Sequence, residues 1–169
     1  PPQDMNDTDS DLADVTQNLI QSANNAEKQR AQVLLDSKSG WFFDLRKGEQ
    51  VVGRAVVFAG TVYFTTFQPV YDELPNPCDV CKGGGASGIA RLYAVDYLNG
   101  GAKDESGERD EEIGTTIPSA PILAIFNDTV KIFVLVGRKD IDGNNNIGVV
   151  EVNADSSKYP NIFYWREVF

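Results

Sequence analysis

The 169-residue chain contains no histidine, one methionine and two cysteines, and its fifteen basic residues are outnumbered by twenty-five acidic ones. Each shortage removes a class of function. Without histidine there is no usual zinc ligand, no general base near neutral pH and no Ser-His or Cys-His nucleophile pair, so the chain is expected not to be an enzyme. A net charge of −10 repels phosphate backbones and anionic lipid surfaces, which argues against nucleic acid as a partner. No apolar run approaches the roughly 18 residues that cross a bilayer, so no membrane span is expected. The chain opens on Pro1-Pro2 with no initiator methionine, basic n-region or apolar h-region, and reads as a mature, processed or recombinant segment.

What remains is globular in composition and divides into three stretches. Residues 1–10 form an acidic polar lead. Residues 11–40 carry Leu12, Val15, Leu19, Ile20, Ala23, Ala26, Val33 and Leu34 mostly at three- and four-residue steps. That stripe predicts a helix over about 11–38, with Ser10 as N-cap, Gly40 as stop and Asn24-Asn25 as a point where it can break in two. Residues 41–169 turn to short runs rich in Val, Ile, Phe, Tyr and Thr separated by Gly, Asn and Asp. Strands are expected near 51–58, 61–67, 90–96, 119–126, 130–136, 147–152 and 162–168. The run Val130 to Val136 is apolar on both pleat faces apart from Lys131 and is expected to be a central strand between two covered surfaces.

A faint repeat with a period of 68 aligns Phe58-Ala59-Gly60-Thr61-Val62-Tyr63-Phe64 with Phe126-Asn127-Asp128-Thr129-Val130-Lys131-Ile132. Each copy reads strand, two-residue turn, strand, and each is followed by a further strand. The fold class expected is therefore mainly β, with about two partial β-propeller-like antiparallel blades preceded by an N-terminal helical segment. Two unrelated hairpins in a sandwich are the alternative. Two blades cannot close a ring, so their open faces must be covered by the helical segment, by a partner chain or by upstream sequence.

The most chemical stretch is Asp140-Ile141-Asp142-Gly143-Asn144-Asn145-Asn146-Ile147-Gly148-Val149-Val150-Glu151. Numbered as a calcium loop, Asp140, Asp142 and Asn144 fall at positions one, three and five, Asn146 offers its carbonyl at seven, and Glu151 falls at twelve. Asn145 replaces the customary glycine and a strand follows where a helix would, so a polar hairpin loop is the competing reading. Asp7, Asp9, Asp11 and Asp14 also alternate, but helix capping and dipole effects account for them. Cys78-Asp79-Val80-Cys81 lacks the second half of a zinc site, and Pro75, Pro77 and Gly83-Gly84-Gly85 place it in a loop. It reads as a structural disulfide between Cys78 and Cys81 that staples an insertion, which points to an oxidising compartment. Gly83-x-Gly85-x-x-Gly88 precedes a strand and does not open a helix, so it is a glycine loop and not a dinucleotide fingerprint. The acidic run Asp104 to Glu112 reads as a solvated loop.

At Gly40-Trp41-Phe42-Phe43-Asp44-Leu45, Gly48-Glu49-Gln50-Val51-Val52, Val62-Tyr63-Phe64-Thr65-Thr66-Phe67-Gln68-Pro69, Pro77-Cys78 and Gly88 to Asp96, the chain resembles the C-terminal part of the PilY-type family. These are tip-associated adhesins and biogenesis factors of bacterial type IV pili. The resemblance covers about residues 40–169 and includes the ending Tyr164-Trp165-Arg166-Glu167. It implies a β-propeller in the full-length protein, export through the periplasm to the cell surface, and bound calcium, with Asp140, Asp142, Asn144 and Asn146 matching the family's alternating loop. It also implies a role in pilus assembly, retraction control and adhesion. The partners implied are pilin or minor pilins, and the upstream part of the same propeller or a partner chain. A calcium-binding cell-surface scaffold or binding module of another extracellular filament, not pilus-related, is the second reading, and a hydrolase or propeller enzyme is disfavoured by the missing histidines. If the loop holds calcium, Asp140→Ala or Asp142→Ala will lower the melting temperature only when calcium is present. Thermal melts of wild type that coincide with and without calcium would contradict it.

Overall fold

The computed structural model describes residues 11–70, 88–103, 106–126, 129–139 and 145–154. Its N-terminal stretch departs from the long helix that the apolar stripe predicts. Leu12–Asp14 (β1) instead pairs in parallel with Gly40–Phe42 (β2), and Leu19–Gln21 makes one 3-10 turn. Only Asn25–Asp36 (α1) is α-helical. Asn18, at φ 51°, turns the chain out of register before α1, and Asn24 caps the helix by accepting the Ala26 N–H at 3.0 Å. The reason for the departure is tertiary: Ala13 and Val15 are buried against the β region, while α1 buries no residue at all.

The remaining strands are β3 (Gln50–Val51), β4 (Val56–Phe58), β5 (Thr61–Pro69), β6 (Gly88–Asp96), β7 (Asp110–Gly114), β8 (Ile122–Phe126), β9 (Thr129–Lys139) and β10 (Asn145–Ala154). They form two antiparallel sheets. In the first the order is β3-β5-β6-β7, with β4 also on β5, and in the second it is β10-β9-β8. The expected strand at 162–168 lies outside the described residues. β7 corrects the reading of the acidic run as a loop: Glu111 and Glu112 face water, but Ile113 is 1% exposed and seats the strand against β6. The link from β7 to β8 follows β9, with Thr115 N–H on Gly137 O at 3.0 Å and Ser119 N–H on Leu135 O at 2.8 Å. The sheets approach most closely there. A Cβ on Gly114 would stand 2.5 Å from Val136 Cγ2 and 2.7 Å from Gly137 O, so only glycine fits.

The 68-residue repeat is visible in the backbone. Phe58 pairs with Thr61 across one two-residue turn and Phe126 pairs with Thr129 across the other, and each hairpin is followed by an antiparallel third strand, β6 or β10. Ala59 and Gly60 of the first turn both have positive φ, 47° and 76°, which the twist of a tight hairpin requires. The shared core joins Tyr63, Phe67, Ala90, Leu92 and Ile113 of the first sheet to Val130, Ile132, Val134 and Val136 of the second. Equivalent strands thus bury opposite pleat faces. The first copy presents the face of Tyr63 and Phe67, whereas the second presents residues equivalent to Val62, Phe64 and Thr66.

The central position of β9 agrees with the expectation from sequence, but its two faces differ. Val130, Ile132, Val134 and Val136 are buried, while Leu135 is 48% exposed and its cross-strand neighbour Val149 is 57% exposed. Ile122, opposite Phe133 on the same face, is 56% exposed. Ile132→Ala should therefore cost about 3 kcal/mol through lost burial and a residual cavity, and Ile122→Ala less than about 0.5 kcal/mol. Urea unfolding of the two variants checks this, and equal losses would contradict the one-sided core.

Candidate functional site

Of the expected calcium ligands, Asp140, Asp142 and Asn144 lie outside the described residues, as do Cys78 and Cys81. Their surroundings are described. Lys139 and Asn145 pair across the mouth of a five-residue connection, residues 140–144, between β9 and β10. Asn146 pairs with Arg138 and Glu151 with Phe133 in an unbroken ladder. Four residues of β10 lie between Asn146 and Glu151, a separation of ~17 Å along an extended strand. The structure therefore brings Asn146 to the loop and keeps Glu151 away from it. Among the described residues, no group of three or more acidic or cysteine side chains is placed to hold a metal.

The best-developed polar centre lies on the outer face of the first sheet, at a carboxylate the sequence reading did not single out. Glu49 sits just before β3, where a tight turn brings its N–H to Arg46 O at 2.9 Å and Gly48 adopts φ 79°. None of its side chain is exposed. Oε1 accepts the Thr66 hydroxyl at 2.5 Å, and the Tyr93 hydroxyl donates to Oε1 and Oε2 at 3.1 and 3.3 Å. Arg91, from β6, lies 3.6 Å from Glu49 Oε1 and 3.5 Å from Asp110 Oδ2, and donates to Gln68 Oε1 at 2.9 Å. Arg46 grips both oxygens of Asp110 at 3.0 Å and donates to Tyr93 Oη at 2.8 Å. Thr66, Arg91, Tyr93 and Asp110 face outward together because their strands are in register: Thr66 pairs with Arg91, and Tyr93 with Asp110. Every charge in the cluster has a partner of opposite sign, so the arrangement holds the loop before β3 onto the sheet and offers no free acid or base.

Aromatic rings continue this face. Phe64 stacks on Tyr93 with centroids 4.7 Å apart, Phe43 on Tyr93 at 5.9 Å, and Trp41 on Phe43 at 6.0 Å. Trp41 Nε1 donates to Tyr97 O at 2.9 Å. Arg109, only 9% exposed, lies over the Phe43 ring at 4.7 Å and donates to the carbonyls of Val15 and Thr16. The segment from Ala13 to Glu49, excluding α1, thus lies as a cap over the first sheet. The block Trp41-Phe42-Phe43-Asp44-Leu45, which carries part of the family resemblance, belongs to this cap. A cleft of about 340 Å³ lies between the cap and α1.

Comparison of the chain with family models, with curated proteins and with solved structures finds no match in any of the three. Burial first, and then the nearby carboxylates of Asp110 and Glu49, push the Tyr93 phenol well above its ordinary value. The native state therefore favours the neutral phenol. Its contribution to stability is whole below the unfolded pKa of about 10 and falls away as pH rises beyond it. Tyr93→Phe should lower stability by about 1–2 kcal/mol at pH 7 and by less at pH 11, measured by urea unfolding against wild type. A deficit that is the same at both pH values would contradict a phenol proton held by Glu49.

Proposed function

We propose that this chain is a non-enzymatic structural and adhesion module of a bacterial type IV pilus, similar to the C-terminal part of the PilY-type tip proteins, with its two sheets acting as propeller blades. The observation that carries the reading is the head-to-tail stacking of the repeat. Two related sheets in a two-fold sandwich would bury the same positions, whereas here the Tyr63 face of one copy meets the Val130 face of the next. Repeats stacked by a rotation that always points the same way are the geometry of propellers and solenoids. Each further sheet in such a series needs a face to rest on. Ile122, Leu135 and Val149, exposed on the second sheet, supply one.

The occupant of that face, in this reading, is the upstream part of the same propeller or a partner chain, with pilin or minor pilins as further partners. The cap makes a second copy of this chain a poor candidate, because it already covers the face that would continue the series. Calcium in the loop at 140–144, held by Asp140, Asp142 and Asn144 with the Asn146 carbonyl, would fix the tip of the β9–β10 hairpin. Glu151 is left out of that set by its distance. Export through the periplasm to the cell surface accompanies the pilus reading, as does a disulfide between Cys78 and Cys81. No helix among the described residues is long and apolar enough to cross a membrane.

Mass spectrometry of what remains bound when the chain is isolated natively from its source tests the proposal. Recovery with pilins or with an upstream propeller fragment is expected. Recovery alone as a monomer, with the second sheet's outer face free, would overturn it.

A further inference from the structure

The two sheets differ at their edges. The first is bounded on one side by β3 and β4, of two and three residues, and on the other by β7, whose five residues include Asp110, Glu111 and Glu112. Short length and charge are what keep an edge strand from pairing further. The second sheet ends on β10 with neither device. β10 is ten residues long, pairs with β9 from Asn145 to Ala154 without a bulge, and among the described residues has no partner along its other side. Its sequence holds the β-branched residues Ile147, Val149, Val150 and Val152, a single charge at Glu151, and neither lysine nor proline. A row of backbone N–H and C=O groups along such an edge is a template for one more strand. The sheet also offers that strand apolar surface to extend, since Val149 of β10 is 57% exposed opposite Leu135.

We propose that the outer edge of β10 takes residues 162–168 of this chain as an antiparallel fourth strand of the second sheet. The connection that would bring them there, residues 155–161, carries the turn formers Asp155, Ser156, Ser157, Pro160 and Asn161. It is long enough to reverse the chain beside β10 and too short for a parallel crossover, which needs about a dozen residues or more. The segment from Ile162 to Val168 is made largely of aromatic and β-branched residues, which fit a pleated, half-buried surface. By alternation Phe163 and Trp165 fall on one face, and Ile162, Tyr164 and Val168 on the other. Either face orientation therefore sets large apolar residues beside the core side of the sheet and beside its exposed side. Because the segment is tethered, its effective concentration at the edge is on the order of millimolar, which favours it over a second copy of β10 or a strand of another protein. The proposal does not depend on the pilus reading, since it concerns the edge of the second sheet and not the face of Ile122, Leu135 and Val149.

Amide hydrogen exchange of the full chain, read residue by residue by NMR, tests it. The N–H groups of an antiparallel strand point alternately to its two sides, so one set on β10 faces β9 and the other faces the outer edge. Both sets should exchange at least about a hundredfold more slowly than in an unstructured chain, and equally so after tenfold dilution of the protein. Contacts between Hα atoms of β10 and of residues 162–168 should appear in the same wild-type sample. Tyr164→Pro, which removes a donor and cannot continue a paired strand, should release the outer set alone, and the set facing β9 reports that the sheet is still folded. Should that variant unfold, the wild-type contacts decide. Outer amides that exchange like a free chain in wild type would overturn the proposal, as would the absence of those contacts. So would protection lost on dilution, which would mean a second copy, or protection that survives Tyr164→Pro, which would mean another strand.

Discussion

The Glu49 carboxylate is taken wholly out of water, and the arrangement of the first sheet follows from where its partners must stand. A buried carboxylate costs several kcal/mol unless it is paired and hydrogen-bonded. Here it draws Thr66 from β5 and both Arg91 and Tyr93 from β6. Arg46 and Asp110 then extend the pairing from the loop before β3 to β7. One ionic cluster thus crosses three strands and the incoming loop, which fixes the register of the sheet as well as the seating of the cap. Such clusters define one arrangement more than they add net stability, since replacing a buried ion pair by apolar groups is often neutral.

The two ends of the molecule are consequently unlike. On one side the first sheet is closed by Phe43, Trp41, Val15 and the Glu49 cluster. On the other, the second sheet keeps Ile122, Leu135 and Val149 in solvent. A head-to-tail series that is capped at one end and open at the other has a direction.

Local pattern made the β region legible, and tertiary context hid the rest. The hairpins at Ala59-Gly60 and around 127–128 announced themselves through two-residue turns between β-branched runs, and the repeat followed from their spacing. The N-terminal stretch misled because Leu12, Val15 and Leu19 keep helical spacing, yet Ala13 and Val15 are buried outside any helix while α1 buries no residue. β7 was hidden inside an acidic run, since its two outward glutamates outnumber the one isoleucine that fixes it. Glu49 gave no local signal. A lone glutamate in a Gly-Glu-Gln turn is ordinarily solvated, and only the alignment of Thr66, Arg91 and Tyr93 on neighbouring strands makes it a centre. The calcium numbering spans a loop and the strand expected at 147–152, and β10 pairs without a break from Asn145 to Ala154, with Asn146 and Glu151 in the same ladder.

A double-mutant cycle between Glu49→Gln and Arg91→Met, read by urea unfolding near neutral pH, tests the dependence on this cluster most directly. The account predicts that each single change costs about 3 kcal/mol or more and that the pair together costs at least about 1.5 kcal/mol less than the sum. Losses that add to within about 0.5 kcal/mol would show that the two residues do not act on one another and that the sheet's register does not depend on their pairing.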